Sequence, residues 1–135
     1  MELGLSTTLR TGFDEAVDRT RDALARQGFG VLTEIDMRAT MKAKLDVDME
    51  DYLILGACNP SLAHRAVGVD RRIGLLLPCN VIVRRDPDTE TDIIVEAMNP
   101  QVMVEVTDDR ALCPVAEDAT AALQAAIDSL TAVRP

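Results

Sequence analysis

Most of the side chains able to do chemistry lie in one stretch, residues 52–85. It opens with the apolar run 53–57, continues through Cys58-Asn59-Pro60-Ser61-Leu62-Ala63-His64, and closes with the run 74–83 around Leu77-Pro78-Cys79-Asn80. Two of the three cysteines, the single histidine and both copies of a Cys-Asn pair are there. Asn is a preferred N-cap and Pro is favoured in the first helical turn, so Asn59-Pro60 predicts a helix running to about residue 67 or 68. Cys58 then sits where a strand meets a helix N-terminus, a place where oriented N–H groups favour a thiolate. His64 lies about one and a half turns along the same helix. Cys79 follows Pro78, an irregularity that can re-aim a side chain. If the two strands are adjacent, Cys58, His64 and Cys79 converge, and three such ligands with an open fourth position suit zinc or another thiophilic ion. The same three also suit a thiol nucleophile, a base and a resolving thiol.

Each of these residues also has a plain structural role. Free cysteine packs as a small apolar side chain, and a histidine on a helix is commonly a surface residue. Asn59 serves as a cap, and Asn80 either bonds the backbone freed by Pro78 or lines a pocket with Cys79, although the two point to opposite faces of a strand. Cys113, just before Pro114, reads as a helix-start residue. No G-x-S-x-G elbow, phosphate loop or dinucleotide fingerprint is present. Residues 46–51 place acids at alternate positions like a calcium loop. The sixth position, however, holds Asp51 instead of glycine and the twelfth holds Ala57 instead of glutamate, so the segment reads as a solvated connection.

The elements that position this stretch are read from periodicity. Residues 3–10 form a first strand, and Thr11 is the expected N-cap of a helix carrying Phe13, Ala16, Val17, Thr20 and Leu24 to a stop at Gly28. Phe29, Val31, Thr33 and Ile35 alternate as a half-buried strand. Met37, Met41 and Leu45 predict a short helix over 36–45 with those three in the core. A buried strand covers 52–57. Residues 73–85 make the longest strand candidate, with a bulge, an edge or a break at Pro78, and pair with 91–98 as a hairpin. Asn99-Pro100 opens a short helical turn through Met103, and 104–106 is ambiguous. The broadest apolar stripe, Val115, Ala119, Ala122, Leu123, Ala126, Ile127 and Leu130, predicts a long helix over 114–133 that packs on a sheet or on a second copy of itself.

At 135 residues and 47% hydrophobic content, the chain is a single domain, 1–135, able to bury a core without disulfides or metal. The net charge of −9 and the shortage of aromatics, two Phe and one Tyr, argue against nucleic acid as partner. Within 52–85 the sign reverses: Arg65, Arg71, Arg72, Arg84 and Arg85 stand against Asp70, a local charge of +4 that leaves −13 for the rest. That segment is either a solvated face or a patch for an anionic ligand. The absence of a leader-like segment or an apolar run near ~20 residues predicts a soluble, cytoplasmic protein with no membrane partner, and three cysteines in no zinc-ribbon spacing predict reduced thiols.

The segments Leu55-Gly56-Ala57-Cys58-Asn59-Pro60 and Gly74-Leu75-Leu76-Leu77-Pro78-Cys79-Asn80-Val81-Ile82-Val83, with Asn99-Pro100 and Pro114-Val115-Ala116-Glu117, resemble the bacterial and archaeal family called domain of unknown function 302. The resemblance implies a small α+β protein with a mainly antiparallel sheet of about four to five strands packed against helices, and a homodimer. It implies no activity, cofactor or catalytic residue. Three functions follow as expectations. One is a non-catalytic dimeric domain binding a small molecule or anion near Cys58, Asn59, His64, Cys79 and Asn80. Another is a thiol- or metal-dependent activity using Cys58, His64 and Cys79. The last is a structural module whose long helix or edge strand binds a partner.

Overall fold

In the computed structural model of the chain, residues 2–131 are described. Five strands form one antiparallel sheet in the order β1-β5-β4-β3-β2. They are β1 (Gly4–Leu9), β2 (Gly30–Asp36), β3 (Tyr52–Cys58), β4 (Cys79–Arg85) and β5 (Ile93–Met98). Between and after them come α1 (Phe13–Arg26), α2 (Met37–Leu45), α3 (Pro60–Val69), α4 (Gln101–Thr107) and α5 (Cys113–Leu130). The expected fold class, α+β with an antiparallel sheet from the family resemblance and a long last helix from the apolar stripe, is the one observed.

Period-2 alternation decides which sheet face is covered. Leu53, Leu55 and Ala57 of β3, Cys79, Val81 and Val83 of β4, and Ile93, Val95 and Ala97 of β5 are all buried on one face. Helix α1 carries the chain beneath that face from one edge strand to the other, burying Ala16, Thr20, Ala23 and Leu24. Helix α5 lies beside it and buries Val115, Ala119, Leu123, Ala126, Ile127 and Leu130 of its expected stripe. Each large apolar side chain fully withdrawn from water, such as Leu55 or Leu123, contributes about 1.5–3 kcal/mol. Polar ties hold the layer in place. The Arg19 guanidinium donates to the Leu130 carbonyl at the end of α5 (2.5 Å), and the buried Thr20 hydroxyl is satisfied by the Ala16 carbonyl (2.7 Å). A second hydrophobic cluster, Ala66, Ile73, Met103, Leu112, Val115 and Ala116, forms where α3, α4 and the start of α5 meet.

Several expectations change. The run 73–85 breaks at Pro78, one of the irregularities expected there, but the part before the break is not a strand: residues Arg71–Leu76 wind into a 3₁₀ turn begun by the Asp70 carboxylate accepting from the Arg72 N–H (2.9 Å), and the strand starts only at Cys79. An apolar run reads the same in either conformation, and Pro78, joined to Leu77 by a cis peptide bond, lacks the ladder donor. Thr11 does not cap α1. Gly12 holds the cap position without a side-chain bond, while the Thr11 hydroxyl donates to the Glu15 carboxylate. Strand β2 is an edge strand, so its residues are mostly exposed instead of half-buried, Ile35 at 46%. Helix α2 has no buried residue: Met37 and Met41 are half-buried and Leu45 is 66% exposed, because the helix packs mainly on the edge pair β2–β3. The ambiguous 104–106 is helical, within α4. Helix α5 ends at Leu130, and residues 132 and 133 of the expected span lie outside the described residues.

Gly56 is where the sheet needs a glycine. A Cβ there would fall 2.8 Å from Pro78 Cγ and against the Thr33 hydroxyl. Gly56→Ala is therefore expected to lower stability by about 1–3 kcal/mol. Gly68→Ala, at a helical position with open space around it, is expected to raise it by about 0.5–1 kcal/mol. Urea unfolding of both variants beside the wild type checks the pair of signs.

Candidate functional site

The antiparallel register sets Ala57 opposite Cys79 and Gly56 opposite Asn80, so the two Cys-Asn pairs meet at one end of the β3–β4 ladder. Beyond Cys58 the chain enters α3 as expected from Asn59-Pro60: the Asn59 side chain accepts from the Leu62 N–H (3.4 Å) and Pro60 occupies the first turn. The Asn59 amide also donates to the Gln27 carbonyl (3.3 Å), tying the start of α3 to the end of α1. The adjoining Gly28 adopts a positive φ of 85°, and a Cβ on it would come within 3.1 Å of that amide. Asn59 is thus fully employed as a structural tie.

Between this junction and α5 lies a small cavity of about 40 Å³. Its floor is buried: Phe29, Ala57, Ala66, Cys79 and Met103, closed by Val115 and Ala119. Its rim is half-buried and includes Cys58, Asn59, Leu62 and Leu77. The walls are almost wholly apolar apart from sulfur. Small side chains, Ala57, Ala63, Ala66 and Ala119, leave the space open. Burial pushes the Cys79 thiol up to about 11, and the neighbouring Cys58 adds to the rise. All three cysteines are free thiols.

Of the five residues singled out in the sequence, Cys58, Asn59 and Cys79 line the cavity. His64 does not, and the expected convergence of Cys58, His64 and Cys79 is not formed. The reason is helical phase. At about 100° per residue, the inward positions Leu62 and Ala66 leave His64 roughly 200° round the helix from either, and it is exposed. Asn80 is exposed on the opposite face of the sheet, where with Leu3, Gly4, Ile82, Glu96 and Met98 it borders a separate shallow groove of about 200 Å³. Cys113 opens α5, as its position before Pro114 suggested. Among the described residues no cluster of three or more His, Cys, Asp or Glu side chains could hold a metal ion.

The arginines of 52–85 do not gather. Arg65 pairs with Asp118 on α5 (2.7 Å), Arg72 with Asp70 (3.7 Å) and Arg85 with Asp51 (3.2 Å). Arg84 and Arg85 sit five and six residues along β4 from Cys79, roughly 17–20 Å away at ~3.3 Å per residue. The site residue that the sequence reading missed is Met103, 2% exposed on the cavity floor. The Asn99-Pro100 turn that places it was legible, with the Asn99 side chain accepting from the Gln101 N–H (3.1 Å). Its approach to Cys79 was not, because that depends on how α4 packs.

Comparison with known proteins adds the family. Residues 5–130 match the family described as Domain of unknown function DUF302. The chain belongs to this family. A crystal structure of an uncharacterized conserved DUF302 protein from Bacillus stearothermophilus is similar to it throughout, with a TM-score of 0.86 and 26% identity over 95% of this chain and 98% of that one. No curated protein matches. Among the described residues of this DUF302 protein, no helix is long and apolar enough to cross a membrane.

Two outcomes test the geometry of the site. Asn59→Ala removes a cap and an interhelical tie together and is expected to cost about 1–2 kcal/mol in urea unfolding. The raised Cys79 thiol has the opposite sign to a stabilising carboxylate: between about pH 9 and pH 11 the unfolded chain gives up this proton while the folded chain keeps it. Stability is fully present below pH 9 and falls as the pH rises through that window, a slope that Cys79→Ala is expected to flatten in denaturant titrations run at each pH.

Proposed function

We propose that this DUF302 protein is a non-catalytic binding domain whose ligand occupies the cavity beneath the β3–α3 junction. The observation that carries this reading is the cavity itself, a sulfur-bearing apolar space left open by alanines at the seam between the two hydrophobic clusters. At about 40 Å³ it has room for an ion or a ligand of a few heavy atoms and is far below the ~300–1,000 Å³ of sites for larger molecules. Among the described residues its lining brings no histidine or carboxylate to act as a base, Asn59 is neutral and already bonded on both sides of its amide, and burial favours the protonated form of Cys79 while the cavity is empty. The separate arginine pairings give an anionic ligand no collected charge at this place.

Xenon is a suitable probe because small apolar cavities admit it without any specific bond. Under xenon pressure, amide shifts are expected to move at Phe29, Cys58, Leu62, Ala66 and Met103, and to stay still there in Ala63→Leu, which closes the rim. No response in this set, or an equal response in the closed variant, overturns the reading.

A second feature favours the homodimer. The sheet face opposite α1 and α5 presents Tyr52, Ile54, Ile82 and Ile94, all half-buried, with Ile35 beside them. Arg84 and Glu96 lie on that face one register step apart and make no ion pair among the described residues. A two-fold axis through such a face sets each charge against its opposite on a second copy and covers the isoleucines. In a chain of net charge −9 the face is electrically neutral, which suits self-association. Sedimentation is expected to show a dimer that Ile82→Asp converts to a folded monomer, and a monomeric wild type overturns this second reading.

A further inference from the structure

The cavity has a chemical character that its size and apolarity alone do not describe. Three sulfur atoms belong to residues lining it: the thiols of Cys58 and Cys79 and the thioether of Met103. They arrive from three separate elements, the end of β3, the start of β4 and the first turn of α4. We propose that Cys58, Cys79 and Met103 form a three-sulfur site for a soft monovalent metal ion, Cu(I).

This inference rests on the reading of the cavity as a ligand site and names its ligand. Thiolate and thioether donors select Cu(I), whereas zinc favours four ligands and accepts nitrogen and oxygen readily. Among the described residues no histidine or carboxylate lines the cavity, and the Asn59 carbonyl oxygen is engaged by the Leu62 N–H. A three-coordinate ion therefore finds here a set of uniformly soft donors and no competing hard one. Met103 is 2% exposed and Cys79 6%, so two donors are held by the packed floor while half-buried Cys58 stands at the rim, where an ion enters. Methionine adapts readily to such a role, since its unbranched chain lets the sulfur follow the shape of its surroundings.

Binding is a ligand exchange without electron transfer. The bonds from Cu(I) to the chelator that delivers it break and the chelator returns to solvent, the two thiols each give a proton to solvent, two S–Cu bonds form to the thiolates, and the Met103 sulfur donates a lone pair to make the third. The metal stays Cu(I) throughout, and the site carries one net negative charge. That charge lies beside the first turn of the ten-residue helix α3, whose dipole favours it. The sum of these contributions is a site for a soft cation inside an apolar wall, reached past the half-buried Cys58 at its rim.

The test is an anaerobic titration of the reduced, metal-free full chain with Cu(I) against a chromophoric Cu(I) chelator. The expected result is one tightly held Cu(I) per chain and an X-ray absorption first shell made of sulfur alone. Met103→Leu, nearly equal in volume, is expected to fold normally and weaken binding at least tenfold. Cys58→Ser at the rim is expected to abolish tight binding, and His64→Ala to leave it unchanged. The inference is overturned by failure to hold one Cu(I), by unchanged affinity in Met103→Leu, by nitrogen or oxygen in the first shell, or by tighter retention of Zn(II). Because Met103→Leu keeps a packed core, the result does not depend on whether Cys79 variants fold. Xenon response in a chain that fails to hold Cu(I) leaves the cavity reading standing and removes only the metal; loss of both removes the two together.

Discussion

A five-stranded sheet with one strongly apolar face has to be covered, and the rest of this molecule follows from how that cover is made. The face runs through Leu53, Leu55, Val81, Val83, Ile93 and Val95. Helices α1 and α5 together cover it, with α1 crossing from edge to edge and α5 lying beside it. At the end of the sheet where β3 stops and β4 begins, the cover changes hands. There α3, α4 and the start of α5 form their own cluster around Ile73, Met103 and Leu112. Leu62, Leu77 and Met98 pack against both clusters, and the cavity lies at the seam. Dense interiors leave few voids, so a gap kept open by four alanines and lined by sulfur stands apart from the surrounding packing.

The junction next to this gap is held by polar bonds that leave little freedom. Asn59 accepts from one helix and donates to the end of another, while Gly28 supplies the one backbone conformation that lets α1 finish against it. The position of Cys58 is thereby fixed from both sides, by the β3 ladder before it and the cap after it. Cys79 is fixed by its register opposite Ala57. Asp51, at the other end of β3, is held between Arg38 (2.8 Å) and Arg85 (3.2 Å), so charges of the central stretch serve to pin strand ends instead of gathering at the thiols. The partial exposure of those pairs makes them modest contributors to stability.

The uncovered face has a different economy. Edge strand β2 exposes Leu32 and Ile35, and the row Ile35, Ile54, Ile82 runs across three strands in register. Asn80 belongs to this side, which is why it shares no wall with Cys79 although the two are adjacent in sequence. Two surfaces of opposite kind therefore back onto one strand: a small, sulfur-bearing space below β4 and a face with a row of isoleucines above it.

Local signals determined much of this in advance. The Asn59-Pro60 and Asn99-Pro100 helix starts, the stripe from Val115 to Leu130, the alternation of β4 and β5, and the opposite facing of Cys79 and Asn80 all depend on near neighbours in the chain. Of the central stretch, Cys58, Asn59 and Cys79 share one cavity, while His64, Asn80 and the arginines lie elsewhere. What failed were inferences that need to know the surroundings of an element. Met37, Met41 and Leu45 have a core-like spacing on a helix with little core to face, and the run 73–77 is apolar in a way that suits a strand or a 3₁₀ turn equally. His64 follows Cys58 closely in sequence, yet the phase of α3, set by which side packs inward, turns it to solvent. Met103 is far from both cysteines in sequence and reaches their cavity only because α4 folds under the end of the sheet. Sequence by itself determined the elements and the residue types available, since these follow from short-range sterics and periodicity. Tertiary structure alone decided which sulfurs share a space and which face stays open, because both depend on packing between segments that the chain brings together only when folded.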